Sequence, residues 1–154
     1  MGEPQLSGAL GVPLLVGVLT IVCTVPLHGV AGAGTVHLAQ SAVRGGFAGA
    51  RFSRNVMVLS AAMLVVLAAH LIQIAVWALV FELCGEFPGF APAFYHSAVN
   101  YTTLGYGDIT PVARWRLLGP MAAMNGVLLF GWSTAVIFEV LRKTISQHTS
   151  FASS

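Results

Sequence analysis

Three long apolar runs, separated by short polar or glycine-rich breaks, set the plan of this chain. The first runs from Leu10 to Val30, with Pro13 near its start and Pro26 near its end. Its far boundary is blurred, because residues 29–39 stay apolar but are rich in glycine. The second runs from Val56 to Phe81 and the third from Leu117 to Phe138, both without a charge. Each is long enough to cross about 30 Å of hydrocarbon, which takes roughly 20 helical residues. At 1.5 Å per residue the second reaches about 39 Å, which predicts a helix that tilts or projects beyond the bilayer.

The pattern changes between the second and third runs. Gly85, Pro88, Gly89 and Pro92 crowd into residues 82–92, which reads as a loop. Pro92 suits the first turn of a helix. Ala93 to Thr102 then predicts a helix of about 15 Å, half a bilayer and the length of a re-entrant segment. Thr102-Thr103-Leu104-Gly105-Tyr106-Gly107-Asp108 closes it. Two glycines flank one aromatic there, so the backbone can adopt conformations closed to other residues and turn successive carbonyls the same way. The expected fold class is an all-α membrane protein, with three transmembrane helices plus a re-entrant helix and loop per subunit.

Composition agrees. Hydrophobic residues make up 56% and charged residues 8%, with a mean hydropathy of +0.84; a soluble domain carries about 25% charged residues. A net charge of +2 gives no reason to expect nucleic acid as a partner. Cys23 and Cys84 define no disulfide framework or metal site, and read as plain apolar residues.

The position of the charges matters more than their sum. Arg44, Arg51 and Arg54 lie between the first and second runs, and Arg142 and Lys143 follow the third. This side should be cytoplasmic. Arg114, Arg116, Glu3, Glu82, Glu86 and Asp108 fall on the other side. The expected location is the cell (plasma or inner) membrane, with the amino terminus outside and the carboxyl tail inside. The expected divisions are 1–40 (outer terminus and first span), 41–55 (basic loop), 56–141 (the main module) and 142–154 (tail). Ala31-Gly32-Ala33 resembles a signal-peptide cleavage site, but residues 1–9 hold no basic residue, and cleavage with export would put the arginine-rich loop outside.

The run Thr102–Asp108, behind a half-length helix and between two spans, resembles the selectivity filter of potassium channels. The likeness covers roughly Val56 to Leu141: outer helix, pore helix, filter and inner helix. In that family backbone carbonyls replace the water shell of a bare cation. The resemblance implies stacked K+ sites formed by the carbonyls of Thr103, Leu104, Gly105 and Tyr106 with the Thr103 hydroxyl. Gly107 completes the strip, and Tyr106 points away from the axis to help set its width. One strip cannot surround a cation, so a homotetramer about a central axis is expected. Apart from other copies of itself, its partners would be membrane lipids, and no organic cofactor is implied. Preceding helices would aim their negative carboxyl ends at the ion, and Asp108 would ring the outer mouth. Ile109-Thr110-Pro111 continues the match.

Three departures concern the filter's support, together with Thr102. Leu104 stands where valine is commonest. Tyr95-His96 replaces a tryptophan pair that braces the filter tyrosine in the small bacterial channels, and His96 can titrate. Val99 stands where some members carry a glutamate that partners the aspartate.

In the third run Gly126 and Gly131 match two inner-helix glycines of the bacterial channels, and read either as a hinge or as close packing. Asn125 reads as facing a watery cavity or as bonding to another helix. Glu139 can pair with Arg142 or Lys143 on one helix face, and the three read either as a solvated helix end or as a charge cluster near an intracellular gate. His70 and Gln73 share a face, explained by packing against the re-entrant helix or first span. His28, His37 and His148 carry no reading alone. The first run lacks the repeated arginines of a voltage sensor, and the tail is too short for a nucleotide- or calcium-binding domain.

The expected function is passive potassium conduction, not enzymatic. A channel of the same build that also admits sodium is the nearest rival. Rivals from other classes are a non-conducting subunit and an electron carrier ligating haem through His28, His70 or His96.

Overall fold

The computed structural model describes residues 4–49 and 51–151. Its order is α1 (Pro4–Arg44), α2 (Phe52–Leu83), α3 (Phe90–Tyr101), a single 3₁₀ turn (Ala113–Trp115) and α4 (Leu118–Phe151). Among the described residues no strand occurs, and three helical stretches are long and apolar enough to cross a membrane: Leu10–Arg44, Phe52–Leu83 and Ala113–Ile145. The protein is an all-α membrane protein.

The first helix runs past the Val30 boundary that the sequence suggested and continues to Arg44. Without water to solvate an open backbone, the glycines of 29–39 gain nothing by leaving the helix, because each backbone group must be bonded internally. Pro13 and Pro26 also lie inside α1. Buried positions recur along it at Pro13, Gly17, Thr20, Thr24, His28, Gly32, Thr35 and Ala39, every three or four residues. Leu14, Leu15, Leu19, Val22, Val30 and Leu38 are exposed. The small and polar residues therefore face protein, and the large apolar ones face outward. That is the arrangement for helices that pack in lipid, where tails already solvate leucine and close contact favours small side chains.

The third helix matches its expected position closely. Gly89 precedes it with φ 114°, a left-handed value that glycine adopts at no steric cost. Pro92 sits in its first turn, where no amide hydrogen is needed.

Two compact units build the chain. The described residues up to Pro26 and Leu71–Leu129 form one. Its core is Ile74, Trp77, Ala78 and Phe81 from α2, Ala93 and Tyr101 from α3, and Leu118, Met121 and Ala122 from α4. Inside it the Tyr101 hydroxyl donates to Gln73 Oε1, and Asn125 Nδ2 donates to Thr24 Oγ1 at 2.8 Å. Gln73 thus meets the re-entrant helix, one of the two partners its sequence position suggested, and Asn125 makes the interhelical bond rather than facing a cavity within this chain.

Leu27–His70 and the described residues from Phe130 on form the second unit. Ala39, Ala48, Val58, Ala62 and Val140 make its core. Ser133 Oγ lies 2.8 Å from His70 Nε2 and 3.0 Å from His28 Nε2, all three side chains being buried. His28 therefore acquires a structural role that its sequence position did not suggest.

Candidate functional site

The site begins where α3 ends. Thr102 N–H donates to the Ala98 carbonyl at 3.0 Å, and Thr103 N–H to the Asn100 carbonyl at 2.8 Å. The Thr102 hydroxyl adds a 2.7 Å bond to the same Ala98 oxygen. Val99 O then takes two backbone donors, Leu104 N–H at 2.9 Å and Gly105 N–H at 3.2 Å, with the Thr102 hydroxyl at 3.4 Å. The start of the strip is thereby bound to the last turn of the helix, and Val99 serves it through its backbone.

Beyond that point the backbone sign alternates. Thr103 (φ 60°), Gly105 (φ 60°) and Gly107 (φ 71°) are left-handed, whereas Leu104 and Tyr106 between them are not. In a uniform strand successive carbonyls point to opposite sides, and reversing the handedness at every second residue cancels that flip. Glycine adopts the reversed state freely. Thr103 does not, and it is the only non-glycine with positive φ among the described residues. A β-branched residue held there costs of order 1–3 kcal/mol and persists only where surrounding structure imposes it. Residues 102–110 are exposed throughout in the single chain, Leu104 at 55% and Tyr106 at 67%.

Three hydrogen bonds hold the segment after the strip. The Tyr95 hydroxyl donates to Asp108 Oδ2 at 2.8 Å. His96 Nδ1 lies 2.9 Å from the Ile109 carbonyl, so that nitrogen carries the hydrogen. Val112 N–H donates to Glu86 Oε2 at 2.7 Å, joining the loop before α3 to the loop after the strip. The sequence singled out Tyr95 and His96 as supports but gave Glu86 no role. A carboxylate between two glycines in a pore-side loop was its only signal.

His96 is held from every side. Its Nε2 faces Asn100 Nδ2 at 3.1 Å, and the amide also bonds to the His96 carbonyl at 2.9 Å. Phe81 meets the imidazole edge-on, with centroids 4.8 Å apart, and Phe87 lies 5.0 Å away. Burial pushes its pKa down, only partly opposed by the Ile109 bond and by Asp108 and Glu86. The bond to Asp108 raises the pKa of the Tyr95 phenol.

The sequence model of one protein family, described as "Ion channel", matches residues 57–143, more than half the chain. The protein belongs to this ion-channel family. No curated protein and no solved structure gave a comparable match. The matched span takes in most of α2, α3, the strip and most of α4, so the site just described lies wholly inside the family's part of the chain.

The remaining candidates of the channel lie along α4. A side-chain carbon added at Gly126 would fall on the Tyr101 backbone carbonyl and ring, so close packing explains this glycine. Gly131 has open space around it. Glu139 receives both Arg142 and Lys143, at 2.9 and 3.0 Å. Those three charges form one cluster on the helix, away from the strip in sequence and packed in the other unit.

Proposed function

We propose that four copies of this chain form a potassium-selective channel. Its ion path is the strip Thr103 to Gly107, with K+ as the substrate passing between rings of carbonyls. The alternating handedness at 103, 105 and 107 is the observation that carries this reading. It fits a backbone whose carbonyls share one side, which a carbonyl filter requires. The Thr-Thr-Leu-Gly-Tyr-Gly-Asp sequence supports potassium over other ions. Exposure of Leu104 and Tyr106 in the single chain supports assembly, since neighbouring copies would cover them. Asp108 stands at the outer mouth and draws cations toward it.

The proposed orientation puts Arg44, Arg51, Arg54, Arg142 and Lys143 in the cytoplasm and the strip toward the outside. Conduction needs no chemistry; a gradient of 100 mV supplies about 2.3 kcal/mol per charge.

Purified protein in liposomes, with potassium on one side and sodium on the other, tests this. A reversal potential near the potassium value and a tetrameric mass are the expected results. Reversal near zero would replace the reading with a cation channel that also admits sodium. A monomeric or dimeric mass with no flux would leave a non-conducting subunit instead.

A further inference from the structure

The turn between α1 and α2 combines two features that the ion path does not use. One is an apolar groove of about 320 Å³ lined by Thr35, Leu38, Ala39, Phe47, Met57 and Ala61 among others. Leu38, Phe47 and Met57 there are all about half exposed. The other is a set of three arginines on the same turn: Arg44 in the last turn of α1, Arg51 just before α2, and Arg54 in the first turn of α2.

Among the described residues no acid pairs with these arginines. Glu3 is the only acid before Glu82 in the sequence. The only ion pairs among the described residues join Glu139 to Arg142 and Lys143. Arg54 stacks its guanidinium 5.7 Å from the centre of the Phe47 ring, which lines the groove. Its Nε is buried with no hydrogen-bond partner. Its Nη1 reaches only the Gly46 carbonyl, at 3.5 Å, the weak end of the range for such a bond. A buried guanidinium nitrogen left unbonded is costly and wants a charged acceptor.

We propose that this turn is a binding site for an anionic phospholipid of the surrounding leaflet. The phosphate sits among Arg44, Arg51 and Arg54, and one acyl chain lies along the groove between α1 and α2. An apolar slot whose Phe47 wall carries the underbonded Arg54 guanidinium, on a turn with two more arginines, matches both ends of such a lipid and neither a zwitterionic lipid nor a soluble anion. The turn is also tied to the end of α4. Asn55 accepts the Gly49 amide at 2.6 Å and donates to the Thr144 carbonyl at 3.4 Å. An occupied site therefore bears on the segment of α4 next to the Glu139 cluster. The site stands whether or not the channel selects potassium.

Native mass spectrometry of the full chain in detergent tests it, with dioleoyl-phosphatidylglycerol against dioleoyl-phosphatidylcholine as probes. The expected result is about tenfold tighter binding of the anionic lipid. It is lost in the triple variant Arg44→Gln, Arg51→Gln, Arg54→Gln and in the groove-filling Ala61→Phe, and kept in Arg142→Gln, Lys143→Gln. Equal binding of the two lipids overturns the proposal. So does an equal loss in both charge variants, which would mean diffuse attraction, or displacement by glycerol phosphate, which would mean a headgroup site alone. A smaller assembly in Ala61→Phe would assign the groove to a subunit contact instead. If the variants do not fold, the native chain still decides: a short-chain dihexanoyl phosphatidylglycerol must bind more weakly than the dioleoyl form, and equal binding removes the groove from the site.

Discussion

The Tyr95 hydroxyl donates to the Asp108 carboxylate across 2.8 Å, on the exposed side of the strip. Among the described residues the Tyr95 phenol is the side chain that holds Asp108, and Val99 offers the strip only its backbone carbonyl. Tyr95→Phe keeps the ring and removes the bond. The expected outcome is current that decays several-fold faster under steady drive, with selectivity retained, measured by single-channel recording in bilayers.

His96 gives a dependence on acidity with a definite sign. Its Nδ1 hydrogen points to Ile109 and its Nε2 accepts from Asn100, so the neutral ring fits the site. Protonation puts a second hydrogen against the Asn100 amide. Because burial lowers the folded pKa below the ordinary 6.5, the neutral site contributes stability in full above about pH 6.5. It is lost as the solution becomes more acidic than that, when the unfolded state takes up protons first. The expected outcome is a lower melting temperature and a less durable current at pH 5 than at pH 7.5. His96→Gln, which donates without titrating, should flatten the difference.

Gly126 and Gly131 separate packing from bending. Gly126→Ala must push the α4 backbone away from the Tyr101 carbonyl, at about 1–3 kcal/mol for overpacking. Gly131→Ala meets open space and should stay within about 0.5 kcal/mol. Thermal unfolding in detergent reads both. A Gly131→Ala channel with native stability and altered open probability would make that glycine the point of bending.

The membrane plan was legible in the sequence, and the polar ties were not. Run length alone gave α2 and the third span, because about 20 apolar residues have few other fates, and α3 followed from the Gly/Pro-rich loop and Pro92 ahead of a half-length apolar stretch. The carboxyl part of α1 was missed for a physical reason: glycine between 29 and 39 reads as a break by the rules of water, where an opened helix can be solvated. Thr103 was expected to line the strip, but its left-handed φ ran against the preference of every β-branched residue. Glu86 with Val112, Asn100 with His96 and Ser133 with two histidines are pairings set by the fold. No spacing rule along the chain announces them.

Asn125 and Thr24 test the value of a single polar contact inside the helix packing. The amide donates at 2.8 Å between two fully or nearly fully buried side chains. Thr24→Val keeps the shape and removes the acceptor, and should cost about 1 kcal/mol, as such bonds do in membrane bundles. Asn125→Leu on top of Thr24→Val should cost less than the sum of the two, since the first change has already removed the contact. A double-mutant cycle by thermal unfolding measures the coupling.

Ser133 has one hydroxyl hydrogen, yet two imidazole nitrogens stand within hydrogen-bond distance of its oxygen. It can donate to only one of them, so at least one of His28 and His70 must donate in return. If one ring accepts the hydroxyl hydrogen, its far nitrogen carries a hydrogen and the other ring donates; if both rings donate, the hydroxyl hydrogen goes elsewhere. A helix from each of three parts of the chain thus meets at one hydroxyl, whose hydrogen direction is set together with the two tautomers. Exchanging the hydrogens would require both rings and the hydroxyl to change together, so these three residues behave as one chemical group spread over α1, α2 and α4.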